Sequence, residues 1–334
     1  MPELRLNVIT RDWVVMATER AMRPDEFAAA ERARPPVEPY DPECPFCPGN
    51  EGQTEGELYS TQGRDGWQLR VVPNKFPALV ATGERRRRGA GLFHVMDGVG
   101  FHEVVIEHPR HDLTIATMTE AEVAEVLQAY RDRYAAVRRD PRVEAVIIFK
   151  NHGEAAGTSL CHPHSQLAAT PVVPFQVRAR LTESVRFFDE HGECIFCRVM
   201  RDELASGERI ILESEHFVVF HPFAALSPFH TWIFPRRHAA SFDDAGEEEL
   251  VDFARVLRRT LRRLRKGLND PPYNYAIRSV PVKDANPDYF HWYMTIIPRV
   301  TRVAGFEMGS GMFINTSLPE ESAEYLRGIP DEEG

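Results

Sequence analysis

Two Cys-x-x-Cys pairs, Cys44 with Cys47 and Cys194 with Cys197, place the strongest constraint on how this chain of 334 residues can fold. In a large chain with few cysteines, such pairs favour metal binding or redox chemistry over structural disulfides. The segment DPECPFCPGNE consists of turn-forming residues, whereas a thioredoxin-like pair enters a helix after a strand. Metal binding is therefore the better interpretation, and a tetrahedral zinc site needs two further ligands for each pair.

The segments that follow the two cysteine pairs repeat the same order of features. Each begins with a strand-like run that ends in a histidine, HEVVIEHPRH at His111 and HTWIFPRRH at His238. An amphipathic helix, a β-rich run and a second histidine-bearing strand follow, and this strand carries His162 in the first copy and His291 in the second. The two histidines are 51 residues apart in the first copy and 53 in the second. They are predicted to complete two metal sites.

The repeat predicts a chain of the α/β (α+β) class with two similar halves, each an antiparallel sheet crossed by a long helix. We assign residues 1–171 to the N-terminal half, residues 172–193 to a linker helix and residues 194–334 to the C-terminal half. The first long helix should begin at Thr119, which has the capping-box pattern with Glu122. Each half should hold one structural zinc, since four protein ligands leave no open position. The predicted ligands are Cys44, Cys47, His111 and His162 in the first half, and Cys194, Cys197, His238 and His291 in the second.

Composition narrows the class of protein. A hydrophobic content of 43% and a charged content of 27% are typical of a globular chain, and no apolar run is long enough to cross a bilayer. The N-terminal residues lack the pattern of a secretory signal, so we expect a cytoplasmic protein without a membrane partner. A formal net charge of -10 argues against nucleic-acid binding, because phosphate backbones are bound mainly by surplus lysine and arginine.

The stretch NHGEAAGTSLCHPHSQ, residues 151–166, places two histidines on either side of a proline. If His162 binds metal, His164 is free, and the two-residue period of a strand puts both on one face with Gln166. The loop upstream offers backbone amides and hydroxyl groups to phosphate oxygens and comprises Asn151, Gly153, Gly157, Thr158 and Ser159. A neutral histidine that faces a held phosphate is arranged for nucleophilic attack on phosphorus.

These motifs, with CPFCPGNE and the repeated halves, resemble the galactose-1-phosphate uridylyltransferase family of the histidine-triad superfamily over nearly the whole chain. In that family the second histidine of HPH attacks the α-phosphorus of a UDP-sugar, and the nucleotidyl group then passes to a second sugar phosphate. The resemblance implies that His164 is the nucleophile and that Gln166 donates hydrogen bonds to phosphoryl oxygens. It also implies that Asn151 and Ser159 hold the phosphates, while Gly157 lets the backbone approach them.

Three further segments match the same family. RAMRP resembles its basic N-terminal segment, which makes Arg20 and Arg23 candidates for phosphate contact. RVVPNKFPAL resembles its nucleoside-binding turn and indicates Asn74. GFEMGSGMFIN resembles its hexose-facing stretch, so Phe306 and Glu307 are candidates for holding sugar hydroxyls. Family members are commonly dimers with residues from both subunits near each active site, and the resemblance therefore implies a homodimer.

In the second half, Tyr293 stands at the position that His164 has in the first half, so one catalytic site per chain is expected.

The sequence leaves three interpretations of the function open. The resemblance favours UDP-glucose and a hexose 1-phosphate such as galactose 1-phosphate as substrates. The second cysteine pair and the GSGMFIN ending resemble a branch of the family that includes ADP-glucose phosphorylases, which transfer AMP to phosphate. The identity of the metal in the second site, zinc or iron, also stays open. A zinc-stabilised binding module is a third interpretation, but it leaves His164 and Gln166 without a role.

Overall fold

The computed structural model describes residues 1–17, 24–30, 37–284 and 287–330. Within these residues the strands are β1 (Glu3–Leu6), β2 (Trp13–Met16), β3 (Tyr59–Gly63), β4 (Gly66–Pro73), β5 (Arg88–Ala90), β6 (Phe93–Val95), β7 (Phe101–Ile106), β8 (Ala145–His152), β9 (His164–Thr170), β10 (Ile210–Glu213), β11 (Phe217–Phe220), β12 (Thr231–Pro235), β13 (Tyr273–Arg278), β14 (Tyr293–Pro298) and β15 (Phe313–Asn315). The helices are α1 (Pro24–Ala30), α2 (Glu120–Val137), α3 (Phe175–His191), α4 (Ile195–Ser206), α5 (Glu247–Gly267), α6 (Gly305–Ser310) and α7 (Pro319–Gly328).

Ten strands form one continuous antiparallel sheet in the order β10-β11-β12-β14-β13-β8-β9-β7-β4-β3. The five strands on one side of the junction come from the first sequence copy, and the five on the other side come from the second. The antiparallel sheet predicted for each copy is confirmed, as is the α/β class. The sequence repeat did not predict that the two sheets join edge to edge.

The junction between the two copies is the antiparallel pair β8–β13. Its register places Phe149 opposite Ala276 and Ile148 opposite Ile277. Outward from this pair, both copies continue with strands in equivalent order, which gives the sheet approximate two-fold symmetry. Pairing of β8 with β13 satisfies two rows of backbone N–H and C=O groups that would otherwise remain at exposed sheet edges.

The long helices α2 and α5 cover one face of this sheet and contribute to its largest hydrophobic core. Thr119 caps α2 through the predicted capping box: its hydroxyl accepts the backbone N–H of Glu122, and the Glu122 carboxylate accepts the backbone N–H of Thr119. The apolar sides of both helices are buried, and Val126 and Leu127 of α2 and Leu257 of α5 are fully enclosed. The packing of the two helices therefore stabilises the sheet on this face.

The opposite face of the sheet is covered differently in the two copies. In the second copy, α3 and α4 pack a small core that includes Phe196, Phe234 and Tyr293. In the first copy, the cysteine-bearing segment lies over the strands, and the ring of Phe46 packs 5.5 Å from that of His164. No helix among the described residues is long and apolar enough to span a membrane.

The buried side of α5 provides a test of the core. Leu257 is 0% exposed, whereas Val251 on the same helix is 53% exposed. Leu257→Ala leaves a cavity and is expected to lower the free energy of unfolding by about 2–5 kcal/mol. The matched control Val251→Ala should change it by less than about 1 kcal/mol. Chemical denaturation measures both values, and equal losses would contradict the packing of α5 described above.

Candidate active site

Cys44, Cys47, His111 and His162 form a buried cluster whose ligand atoms all lie within 4.8 Å of one another. The Sγ atom of Cys47 is 3.5 Å from Nδ1 of His111 and 3.6 Å from Nδ1 of His162. The two Nδ1 atoms are 3.3 Å apart. Tetrahedral zinc at ordinary bond lengths would separate sulfur from nitrogen by about 3.6 Å and nitrogen from nitrogen by about 3.3 Å. The cluster therefore fits a tetrahedral metal ion.

The electrostatics of this first cluster also suit a metal. Burial raises the pKa of the Cys44 thiol to about 11 and lowers the pKa of His162 to about 3. Nε2 of His162 lies 2.8 Å from the carbonyl oxygen of His108, so Nε2 carries the proton and the Nδ1 lone pair faces the cluster. A cation among these groups would reverse the cost of ionising the thiols.

The second cluster contains Cys194, Cys197 and His238, whose ligand atoms lie within 4.8 Å of one another. Nδ1 of His291 lies 3.5 Å from Sγ of Cys197, but His291 is not part of that three-residue group. Its Nε2 is 2.9 Å from the carbonyl oxygen of Pro235, the same arrangement that His162 has in the first cluster. The hydrogen bond from Cys194 lowers the pKa of Cys197 to about 3. This cluster can also hold a metal, and His238 leaves it more exposed than the first.

His164 begins β9 two residues after the metal-site histidine and is 8% exposed. Its Nδ1 lies 2.9 Å from the carbonyl oxygen of His162. Because a carbonyl oxygen only accepts hydrogen bonds, Nδ1 carries the proton and Nε2 of the neutral ring keeps its lone pair. Burial, and after it the charge of Lys150, lowers the pKa of His164. A neutral imidazole with a free Nε2 is the nucleophilic form of histidine.

A buried ion pair lies directly beneath His164. Lys150 on β8 is 2% exposed and donates to the carboxylate of Glu107 at 2.6 Å and to the carbonyl oxygen of His164 at 2.9 Å. The Tyr130 hydroxyl donates a hydrogen bond towards the same carboxylate. Sequence reasoning missed Lys150 and Glu107, although a charged residue at the end of an apolar strand run is unusual unless it is paired. The pair connects β8, β9 and the residue that follows β7 at His164.

Gln166 lies one strand period beyond His164, and its side-chain oxygen is held in place. Nδ1 of His102 accepts the backbone N–H of Ala78 at 3.1 Å, so Nε2 carries the proton and donates to Oε1 of Gln166 at 2.8 Å. Asn74 donates to the same oxygen at 3.4 Å. With Oε1 occupied, the amide NH₂ of Gln166 is left to donate to a ligand. Sequence reasoning missed His102, which the chain carries in an ordinary strand pattern.

Asn151 lies near the end of β8, and the loop between β8 and β9 contains the other predicted phosphate-holding residues, Gly157 and Ser159. Gly157 adopts a left-handed conformation with φ of 89°, which disfavours any side chain there. Asn274 donates its side-chain N–H to Oδ1 of Asn151 at 2.8 Å, which leaves the Asn151 NH₂ group for another partner. A Cβ on Gly157 would lie 4.0 Å from that nitrogen. The exposed Ser159 belongs to the same loop.

The structure does not bring every predicted residue to His164. Phe306 is 49% exposed on α6, and the Glu307 carboxylate accepts the backbone N–H of Ala304 at 3.0 Å. Glu307 lines a cavity of the second copy together with His230. Arg20 and Arg23 lie outside the described residues, so the structure gives no position for these two candidates.

Comparison with known proteins shows the family to which this chain belongs. Residues 1–174 match the galactose-1-phosphate uridyl transferase N-terminal domain, and residues 180–332 match the C-terminal domain. The chain is 37% identical to ADP-glucose phosphorylase of Arabidopsis thaliana over 98% of this chain and 93% of that protein. It is 28% identical to galactose-1-phosphate uridylyltransferase of Thermotoga maritima over 98% of each chain.

Solved structures agree with this assignment. The crystal structure of an ADP-glucose phosphorylase from Arabidopsis thaliana with bound ADP-glucose matches with a TM-score of 0.85 and 35% identity, and 99% of each chain is covered. A uridylyltransferase structure matches with a TM-score of 0.76 and 26% identity over 98% of each chain. The resemblance inferred from the sequence motifs is thereby confirmed. The chain belongs to the galactose-1-phosphate uridylyltransferase family and is an enzyme of the nucleotidyltransferase kind.

Proposed function

We propose that this protein transfers a nucleotidyl group from a nucleotide sugar through a covalent intermediate on His164. The observation that carries the proposal is the 2.9 Å contact between Nδ1 of His164 and the carbonyl oxygen of His162. It fixes the proton on Nδ1, so the Nε2 lone pair is available to attack phosphorus. The same hydrogen bond stabilises the positive charge that the ring gains when Nε2 binds phosphorus.

The proposed reaction proceeds in two steps. Nε2 of His164 forms a bond to the α-phosphorus, the bond from that phosphorus to the bridging oxygen breaks, and the sugar 1-phosphate leaves with the bridging oxygen. An oxygen of the acceptor phosphate then attacks the same phosphorus and releases His164 as neutral imidazole. In both steps the NH₂ group of Gln166 donates to a non-bridging oxygen, where charge accumulates in the transition state.

For the donor we propose ADP-glucose, with inorganic phosphate as the acceptor. The greater identity to ADP-glucose phosphorylase, 37% against 28% for a uridylyltransferase, supports this choice. The second candidate, UDP-glucose with galactose 1-phosphate, is the substrate pair favoured by the sequence motifs alone. The match of both halves to the galactose-1-phosphate uridyl transferase domains supports it.

Further substrate contacts are proposed on the basis of the family. The phosphates would be held by Asn151 of β8 and by Gly157 and Ser159 of the loop that follows, and the nucleoside by Asn74. Arg20 and Arg23 are proposed as further phosphate contacts. We also propose a cytoplasmic homodimer in which the exposed stretch of Phe306 and Glu307 contacts the sugar in the site of the other subunit.

Both cysteine and histidine clusters are proposed to bind zinc. Two thiols and two imidazoles suit zinc, and four protein ligands make the ion structural, with no open position for substrate. In the second cluster His291 would be the fourth ligand. Its place beside Cys197 supports that role, at a distance of 3.5 Å. Zinc in the first cluster would fix His162 and so the start of the strand that carries His164.

Covalent labelling tests the nucleophile and the donor together. Incubation with ADP-glucose, without acceptor, is expected to add one AMP to the intact protein as an acid-labile adduct, while UDP-glucose adds little or no UMP. His164→Ala should abolish the adduct because no other imidazole takes its place. Intact-protein mass spectrometry measures the mass shift. The exposed histidine variant His94→Ala is the control and should label fully. An adduct that survives His164→Ala refutes the mechanism.

Replacement of His102 tests how Gln166 is oriented. His102→Leu removes the donor to Oε1 of Gln166, so the amide can rotate and lose its alignment with the phosphoryl group. We expect kcat to fall about tenfold or more with a smaller change in KM, since the lost alignment acts mainly in the transition state. Steady-state kinetics separate the two constants, and a thermal melt checks folding. A rise in KM alone would assign His102 to ordinary ground-state binding.

Metal content tests the two clusters separately. The purified protein is expected to contain two zinc ions per chain, and Cys44→Ser and Cys194→Ser should each retain one. Cys161→Ser is the matched control, because Cys161 is exposed and outside both clusters, and it should retain two. A chelator should remove the second metal first, since His238 is exposed. Unchanged metal content in Cys194→Ser would overturn the second site.

A further inference from the structure

The second copy contains a cavity of about 620 Å³ on the sheet face that carries Tyr293 and Thr295. These two residues of β14 are one strand period apart, so their side chains share a face. Arg278 at the end of β13 and Arg180 on α3 also line the cavity. Neither arginine has a place in the proposed catalytic site, which lies on the first copy.

The cavity repeats part of the hydrogen-bond arrangement around Gln166. Nδ1 of His230 accepts a backbone N–H at 3.2 Å, and its Nε2 donates to the hydroxyl oxygen of Thr295 at 2.8 Å. His102 holds Gln166 in the same way in the first copy, also at 2.8 Å. Since the Thr295 oxygen accepts this bond, its own proton is available to a ligand. The second copy thus presents a fixed donor at the position where the first copy has Gln166.

The two arginines of the cavity lack counter-charges. The Arg278 side chain has no hydrogen bond or ion pair with any other residue in the described part of the chain, and its Nε atom is buried. Arg180 donates only to the carbonyl oxygen of Gln176 on its own helix, at 2.8 Å, and its Nε is also buried without a partner among those residues. Burial, and after it the neighbouring charge of Arg180, lowers the pKa of Arg278. Both residues are half-buried, and cations removed from water are normally paired with an anion.

Hydroxyl groups around the cavity are unsatisfied as well. Thr10 and Ser227 line it, and the Oγ1 and Oγ atoms of these residues are buried without a hydrogen-bond partner in the described chain. A buried polar group left unpaired is destabilising, because it has lost its hydrogen bonds to water. Native proteins keep few such groups, so two guanidinium groups and two hydroxyls around one cavity indicate a ligand that accepts several hydrogen bonds.

We propose that this cavity binds a phosphorylated small molecule whose phosphate lies between Arg180 and Arg278. The planar guanidinium fork matches the oxygens of a phosphate. The available donors, two guanidinium groups and the hydroxyls of Thr10, Ser227 and Thr295, exceed the roughly four acceptor positions of a carboxylate. The aromatic side chains of the lining would pack against the rest of the ligand.

A ligand in this cavity is bound without being converted. Tyr293 lies where the first copy has the proposed nucleophile, and a phenol lacks the ring-nitrogen lone pair with which a neutral imidazole attacks phosphorus. The site would therefore act as a second, non-catalytic binding site on each chain. This inference goes beyond the proposed nucleotidyl transfer and does not depend on it.

Phosphate binding to variants of the full chain tests the proposal. Gln166→Ala serves as the background, because it weakens phosphate binding at the catalytic half. Inorganic phosphate and glucose 1-phosphate are titrated at constant ionic strength, and calorimetry with thermal melts measures affinity. We expect binding in the background variant and a loss of at least about tenfold in affinity when Arg278→Gln is added. Without phosphate, Arg278→Gln should melt no lower than the background, since it removes a half-buried charge that has no counter-ion among the described residues.

Arg178→Gln is the matched control, because Arg178 is exposed on the same helix as Arg180 and does not line the cavity. It should leave phosphate affinity unchanged. Equal losses with Arg178→Gln, or full affinity with Arg278→Gln, would overturn the proposal. Loss of the His164 adduct in Arg278→Gln alone would also overturn it, by placing the cavity in the catalytic centre. Arg278-dependent binding in a protein that forms no adduct supports the cavity and refutes the proposed function.

Discussion

Beneath the HPH strand, a buried lysine and glutamate connect the elements that carry the site. Lys150 extends from β8 to the carboxylate of Glu107, which follows β7, and to the carbonyl oxygen of His164 on β9. Tyr130 adds α2 through its bond to the same carboxylate. Removal of one partner from such a buried pair costs about 3–5 kcal/mol, because the remaining charge is left uncompensated. The position of His164, the proposed nucleophile, therefore depends on an interaction between residues that lie behind it.

The two copies share the same order of strands but differ in the side chains that these strands carry. In each, a histidine with a fixed tautomer donates to a side-chain oxygen on the neighbouring strand, Gln166 in the first and Thr295 in the second. The copies differ at the position of the proposed nucleophile, where the first has the imidazole of His164 and the second has the phenol of Tyr293. Because β8 and β13 pair directly, both sets of side chains lie on one sheet.

Those features of the fold and of the candidate site that depend on a local sequence pattern could be predicted. The cysteine pairs and the histidine spacing indicated the two metal clusters, and the Thr119 pattern gave the start of α2. The joined sheet could not be predicted, because strand pairing between copies leaves no mark in local periodicity. The importance of His102 and Lys150 depends on cross-strand neighbours distant in sequence. Arg180 fell in a segment interpreted only as a linker, where an arginine has the appearance of a solvated charge.

One aromatic side chain contacts both the first Cys/His cluster and the candidate nucleophile. Phe46 lies between the two cysteines of the first cluster, and its ring packs 6.0 Å from the ring of His162 and 5.5 Å from that of His164. The fold of the cysteine turn therefore sets how far His164 is shielded from water. If the proposed ion left, this apolar cover would lose its anchor, water would reach the imidazole, and its basicity would rise. Occupancy of the proposed metal site and reactivity of the proposed nucleophile would thus be coupled through a single ring that binds neither metal nor substrate.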